Sequence, residues 1–142
     1  MTQTAKAPTE KDDLFTGGFS TFAVKDVAAS RSFYGETLGL EVGDSMGGLR
    51  LAIPNGDNVF VYGKEDHEPA VFTVFNLQVS DIAATVDELS KRGVKFLHYD
   101  GDIATDEKGI HWGDEDNQGP NIAWFEDPSG NIFSVIEAKS GA

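Results

Sequence analysis

The side chains of this sequence that could carry chemistry are few and widely spaced. The chain has three histidines, 24 acidic residues and no cysteine. Without cysteine there is no disulfide, no thiolate nucleophile and no zinc–thiolate site. The phosphate-loop and His-Glu-x-x-His motifs are also absent. The spacing of the remaining residues does not identify a nucleophile paired with a base.

His111 and Trp112 form the most suggestive pair, because an aromatic ring adjoins a group that titrates near neutrality. They lie in the segment 99–120, where seven carboxylates are opposed by one lysine, Lys108. Long loops beside a pocket often act as lids or binding loops. The alternative interpretation is a solvated acidic loop that Ile110 and Trp112 anchor to the domain.

The overall charge and hydrophobicity exclude several classes of partner. A formal net charge of −13 repels a phosphate backbone, so nucleic acid is not an expected partner. The same charge favours cationic ligands, although acidity is also a common source of solubility. No apolar run approaches the ~20 residues of a membrane helix, and residues 1–17 read as a flexible tail without a signal-peptide core. We therefore expect a cytoplasmic protein.

Two segments, VKDVAAS at 24–30 and VSDIAAT at 79–85, repeat one pattern. Each follows a β-favouring run and carries an aspartate suited to the N-cap of a helix, which a glycine then ends. These residues are Asp26 and Asp81, 55 positions apart, and Gly39 and Gly93, 54 positions apart.

Each repeat closes with a tight turn between β-type runs, at 53–56 and at 127–130. The turns are 74 positions apart and the helix starts 55, so the second repeat has 19 extra residues, placed within 99–120. The sequence therefore predicts one α+β domain, residues 18–138, of two tandem βαβββ modules at 18–68 and 70–138. His67 is interpreted only as a residue of the linker between them.

This succession of motifs resembles the vicinal oxygen chelate superfamily, which includes glyoxalase I, extradiol dioxygenases, fosfomycin-resistance enzymes and bleomycin-binding proteins. The resemblance implies that the two modules form a curled mixed sheet around a cavity, often completed in a homodimer. Active members commonly hold a divalent metal there through His, Gln and Glu side chains. The residues that carry the resemblance are Val24-Lys-Asp26, Phe33-Tyr34, Leu38-Gly-Leu40, Val79-Ser-Asp81 and Asp127-Pro-Ser-Gly-Asn131.

The resemblance places the four metal ligands at Phe19, Val61, Val74 and Ser134. Phenylalanine and valine have no donor atom, and a single serine hydroxyl is a weak ligand. We therefore expect no bound metal and no other cofactor. Glyoxalase-type isomerisation and extradiol ring cleavage both need the metal, so neither is expected.

Strand alternation predicts which side chains face the cavity. If Phe19 and Val74 face it, Thr21, Asn76 and Gln78 do so as well. The two amides then need hydrogen-bond partners, either in the protein or in a ligand.

Matching the two closing turns pairs Arg50 with Trp124, and both are predicted to face the cavity. Arginine suits a carboxylate or phosphate, and tryptophan suits an aromatic or cationic group. The alternatives are an Arg50 paired with a surface carboxylate and a Trp124 packed in the core. The predicted ligand-binding residues are Thr21, Arg50, Asn76, Gln78, His111, Trp112, Trp124 and Ser134.

Three functions are compatible with these residues. The first is a metal-free, homodimeric module that holds a small organic molecule, such as a cationic aromatic antibiotic, in the cavity or at the subunit interface. The second is an enzyme, lyase, isomerase or dioxygenase-like, that uses His111 as general base or a metal site built from His98, His111 and carboxylates of the insert. The third is a structural or regulatory partner domain. We rank the binding module first because apolar groups occupy the ligand positions.

Overall fold

The structure, a computed structural model, describes residues 14–56, 58–113 and 119–137. Within these ranges the chain forms eight strands and two α-helices, arranged as two consecutive modules. The predicted α+β fold of tandem βαβββ units is therefore confirmed, with sheets that curl without closing. Most of the predicted tail (1–13), part of the insert (114–118) and residue 138 lie outside the described residues.

Module one contains one four-stranded sheet and one helix. Its sheet has the order β1-β4-β3-β2, in which β1 and β4 are parallel and the other pairs are antiparallel. A π-helical turn, Phe33–Thr37, continues the helix. The elements are β1 (Ser20–Val24), α1 (Val27–Ser32), β2 (Glu41–Ser45), β3 (Gly48–Ala52) and β4 (Asn58–Gly63).

Module two repeats this topology, with the order β5-β8-β7-β6 and a parallel β5–β8 pair. Its elements are β5 (Thr73–Gln78), α2 (Ile82–Lys91), a 3₁₀ turn (Gly101–Ile103), β6 (Ile110–His111), β7 (Asn121–Glu126) and β8 (Ile132–Glu137).

The predicted helix caps are present in both modules. The carboxylate of Asp26 accepts a hydrogen bond from the amide of Ala29, and that of Asp81 from the amide of Ala84, each at 3.1 Å. These bonds satisfy amides that have no partner inside the helix. Both predicted glycines, Gly39 and Gly93, have positive φ, as helix-ending residues commonly do.

One face of each sheet packs on its helix and forms a single hydrophobic core. In module one the core side chains alternate along the strands, as in β4, where Val59 and Val61 are buried. In module two Phe125 and Phe133 are fully buried beneath α2 and the aromatic ring of Tyr34. The opposite face of each sheet, called the inner face below, carries no helix. No helix in the described part of the chain is long and apolar enough to cross a membrane.

Much of the insert is a loop that interrupts the strand paired with β7. Along an antiparallel ladder, the numbers of the two residues in each pair add up to the same total. Phe96 and Phe125 add up to 221, whereas Ile110 and Ala123 add up to 233. The difference, 233 − 221 = 12, equals the length of the segment 98–109. This segment, called the excursion below, leaves the sheet after Leu97, whose amide binds the carbonyl of Trp124, and returns to it at Ile110. Before the excursion, Phe96 forms an isolated bridge with Phe125 instead of a full strand.

The two modules are joined by a buried polar network, called the seam below. The Tyr34 hydroxyl donates to Asp127 Oδ2 at 2.5 Å, and the Asn131 side-chain amide donates to the same oxygen and to the carbonyl of Ala23. Burial, together with the charge of Asp127, raises the pKa of the Tyr34 hydroxyl. The residues 127–131 that carried the resemblance therefore hold module two against module one.

Candidate functional site

The inner face of module one carries a row of side chains across three strands. Thr21 lies opposite Phe60, which lies opposite Arg50, and these three residues are called the arginine row below. The Arg50 guanidinium lies over the backbone of Gly43, since a Cβ placed there would be 3.0 Å from Nη2. Among the described residues Arg50 has no carboxylate partner, contrary to the alternative in which a surface carboxylate binds it.

The equivalent row of module two is Asn76, Ser134 and Trp124, called the tryptophan row below. The buried Ser134 hydroxyl donates to Asn76 Oδ1 at 2.5 Å, so these two polar groups satisfy each other. The Tyr99 ring, supplied by the excursion, meets the Trp124 ring edge-on with centroids 5.3 Å apart. This edge-to-face geometry is favourable for aromatic pairs. The inner face of module two is thus partly filled by its own aromatic side chains.

His111 also lies on the inner face of module two. It belongs to the row of paired residues next to the tryptophan row, and this row includes Gln78. Its Nδ1 is 2.9 Å from the carbonyl oxygen of Ala104. A carbonyl can only accept, so Nδ1 carries a proton, and in the neutral form of the ring the lone pair is on Nε2. The ring centroid is 6.5 Å from that of Trp124.

Trp112 does not take part in this surface. Its ring is half exposed, and its indole N–H donates to Asp106 Oδ2 at 2.8 Å. Partial burial of Asp106 opposes ionisation, but hydrogen bonds from Trp112 and three backbone amides lower the pKa of that carboxyl. Ile110 is buried and anchors the segment, as predicted. The N–H of Trp112 holds its half-exposed ring against the loop, and the role of this ring in ligand binding stays a prediction.

The positions that correspond to the family's metal ligands do not fit a metal. The prediction of Val61 as one of them was wrong: its side chain is fully buried on the helix side, and Phe60 occupies the place equivalent to Ser134. Phe19, Phe60 and Val74 have no donor atom, and Ser134 is bound to Asn76. Within the described ranges no three His, Asp or Glu side chains converge, which includes His98 and His111.

Three clefts adjoin one another: the first two lie beside the edges of β1 and β5, and the third lies on module one beside Arg50. The first, of about 860 Å³, adjoins the third, of about 330 Å³, through the shared residues Phe19 and Asn58. The second, of about 700 Å³, meets the first at Ser20 and continues towards the linker between the modules. These volumes are in the range of small-molecule sites.

The clefts bring together half of the predicted ligand-binding residues. Asn76 and Gln78 line the first cleft, Thr21 lines the second and Arg50 lines the third. The other predicted residues lie outside the lining of these clefts: His111, Trp112, Trp124 and Ser134.

Sequence reasoning missed several residues of this surface. His67, interpreted as a linker residue, lies 3.1 Å from Asn131 Oδ1 and lines the second cleft. Tyr99 and Asn58 received no role because a single aromatic or amide in a loop or strand end has no distinctive spacing. The pattern Gly-Asp-Ser-Met-Gly at 43–47 also matches a nucleophile elbow, but it forms the β2–β3 hairpin instead of a strand-to-helix turn.

Comparison with known proteins defines the class of this chain. Residues 18–135 match the family described as the Glyoxalase/Bleomycin resistance protein/Dioxygenase superfamily. The chain therefore belongs to this superfamily, and the resemblance seen in the sequence motifs is confirmed. A search of curated proteins found no match.

Several solved structures share the fold at low sequence identity. A glyoxalase family protein from Bacillus anthracis has a TM-score of 0.64 at 21% identity, covering 88% of this chain and 98% of its own. TnmS3, an antibiotic binding protein from Streptomyces sp. CB03234, has a TM-score of 0.60 at 21% identity, covering 87% and 98%. A genomically encoded fosfomycin resistance protein from Listeria monocytogenes has a TM-score of 0.59 at 16% identity, covering 89% and 97%.

Proposed function

We propose that this chain is a metal-free small-molecule-binding protein whose ligand lies in the cleft between the edges of β1 and β5 and in the clefts that adjoin it. The observation that carries the proposal is that three residues without donor atoms, Phe19, Phe60 and Val74, line these clefts. Apolar groups at these positions favour burial of an organic ligand over coordination of an ion. Thr21, Arg50, Asn76 and Gln78 are the proposed contacts.

The structural neighbours are compatible with an antibiotic as the ligand. One is an antibiotic binding protein and another a fosfomycin resistance protein, both at sequence identities that support only the fold. We therefore propose a natural-product antibiotic as the first ligand class to test. Sequestration of such a molecule requires tight binding without turnover.

A homodimer is part of the proposal. The apolar side chains of Phe19, Tyr62 and Phe72 are 65%, 40% and 66% exposed at the rims of the clefts. A second chain packed against these rims would cover them and could close a shared site. Dilution distinguishes the two arrangements, because a site shared between chains loses its ligand when the dimer dissociates, whereas a site within one chain does not.

Elemental analysis and calorimetry test this function together. We expect protein purified without chelator to contain far less than one equivalent of transition metal per chain. Titration with a panel of antibiotics should give at least one ligand with a Kd of about 10 μM or lower, recovered chemically unchanged. A stoichiometric metal, or no ligand tighter than about 1 mM across a broad panel, would contradict the proposal.

The second candidate function is an enzyme that uses His111 as general base. Its support is the Nε2 lone pair, which the hydrogen bond from Nδ1 to the carbonyl of Ala104 leaves free beside Trp124. For this candidate, mass spectrometry should detect a product from a bound ligand. The product should disappear in His111→Ala but remain in the control His98→Ala, whose histidine is exposed at the start of the excursion.

A further inference from the structure

We infer that the first and third clefts together select organic anions, with a carboxylate or phosphate group bound by Arg50. This inference rests on the proposed binding function and names its ligand class. It differs from the cationic ligand that the net charge of −13 favours. The difference arises because the side chains that line these two clefts do not share the strongly negative net charge of the whole chain.

No acidic side chain lines the first or the third cleft within the described part of the chain, which does not include Asp57. The chain nevertheless contains 24 acidic residues in 142. Among the described residues that line these clefts, Arg50 is the one charged side chain. These described side chains therefore offer a ligand in the groove a positive charge and no negative one.

The second cleft shows the opposite character and serves as an internal comparison. Its lining includes the carboxylates of Asp66 and Glu68, together with Lys64 and His67. Lys64 is already bound to Asp66, with a separation of 2.5 Å between Nζ and Oδ1. This pairing neutralises the cation that could otherwise attract an anionic ligand, so the anion preference belongs to the first and third clefts.

Arg50 also differs from the other described arginines in what it binds. The guanidinium of Arg31 contacts Asp44, and that of Arg92 contacts Glu88 and the carbonyl of Thr37. The Arg50 guanidinium lies over Gly43 without such a partner. Its planar fork of donors matches a carboxylate or phosphate in bidentate fashion.

The remaining walls indicate what the rest of the ligand looks like. Phe19 and Phe60 flank Arg50 in the third cleft and offer apolar surface to a ring or chain. Asn58, shared by both clefts, and Gln78 in the first cleft can form neutral hydrogen bonds to a polar body. The ligand class is therefore an aromatic or aliphatic molecule that carries one anionic group and several polar atoms.

Repulsion between the distant carboxylates of the chain and an anionic ligand does not override the attraction between that ligand and Arg50. At physiological salt the Debye length is about 8 Å, so exposed carboxylates farther away act only weakly on a bound group. The guanidinium instead contacts the anion directly. We expect the distant charge to slow association while Arg50 determines which ligands remain bound.

The test uses small probes that differ in charge. Benzoate, phenylphosphate, benzamide and benzylamine are titrated into the ¹⁵N-labelled full-length protein at 150 mM salt. The anions should shift the amide signals of Phe19, Arg50 and Asn58 and bind at least about tenfold more tightly than benzamide or benzylamine. The ratio between benzoate and phenylphosphate distinguishes carboxylate from phosphate recognition.

Variants assign the preference to one side chain. Arg50→Gln should weaken the binding of the preferred anion at least about tenfold, and Arg50→Lys should weaken it less, because it keeps the charge but not the fork. Lys95→Gln is the matched control, since it removes the same charge from an exposed position outside these clefts and should change the affinity less than about twofold.

Equal affinity for all four probes in this groove, or an unchanged affinity in a folded Arg50→Gln, would overturn the anion assignment and leave the proposed binding function intact. If Arg50→Gln does not fold, the same comparison is made with Arg50→Met, which also removes the charge. The absence of any probe-induced shift in the groove would count against the proposed function itself.

Discussion

The arginine row and the tryptophan row occupy equivalent places in two copies of one module, yet they present different surfaces. In the arginine row a guanidinium lies open beside a cleft. In the tryptophan row a serine and an asparagine satisfy each other, and Tyr99 covers the edge of Trp124. The repeated strands place the two rows at equivalent backbone positions. The side chains and the excursion then determine which of the two inner faces a ligand can reach. Duplication of the fold has therefore not duplicated the site.

The largest effect is expected at the seam, which keeps the two rows in place relative to each other. Asp127→Ala removes the acceptor of four hydrogen bonds, from Tyr34, from Asn131 twice and from Ser129. Because buried donors then lose their partner, the free energy of unfolding should fall by about 3 kcal/mol or more, measured by urea denaturation.

The control at the seam is Tyr34→Phe, which keeps the ring and removes only one donor. It should cost about 1 kcal/mol. Equal losses in Asp127→Ala and Tyr34→Phe would show that the aspartate acts only through the tyrosine.

An intermediate effect should separate the two rows directly. Trp124→Ala removes a partly buried ring that contacts Tyr99 and His111, so it should lower the free energy of unfolding by about 2 kcal/mol. Arg50→Ala, at the equivalent place, should change it by less than about 0.5 kcal/mol because the side chain is exposed and unpaired. Comparable losses in the two variants would mean that Arg50 has a structural role that its exposed position does not suggest.

A small effect on stability for so large a change is expected from removal of the excursion. Leu97 and Ile110 occupy consecutive positions opposite β7, so deletion of residues 98–109 should leave one continuous strand like β2. Loss of the Tyr99–Trp124 contact is opposed by a shorter loop, and the net change should lie within about 1 kcal/mol. Amide spectra in which the β7 and β8 signals collapse would contradict this prediction.

The elements predicted correctly from sequence depend on local signals. Asp26 and Asp81 cap helices through bonds to residues three positions away, and the glycines that end the helices need only their own positive φ. The strands and the closing turns follow from short-range alternation and turn chemistry. The duplicated architecture was therefore predictable from the sequence.

The parts that sequence missed depend on distant residues. The strand register decides whether Val61 or Phe60 faces the cavity. A one-residue error in the position of a hairpin turns every side chain of the strand to the opposite face. The contact between His67 and Asn131 spans 64 positions, and that between Tyr34 and Asp127 spans 93. The position of Trp112 depends on its bond to Asp106 within the insert. No periodicity reports such pairs, so only four of the eight predicted ligand-binding residues line the clefts.

The seam also determines how a bound ligand can be detected. The first and second clefts lie between two sheets that the described residues join by side chains and core packing, without a hydrogen-bonded ladder between β1 and β5. A molecule that touches both walls binds only while the modules are docked, so it adds its own binding free energy to that of the folded state. The melting temperature of the unlabelled protein should therefore rise with ligand concentration, which makes thermal unfolding a direct measure of occupancy.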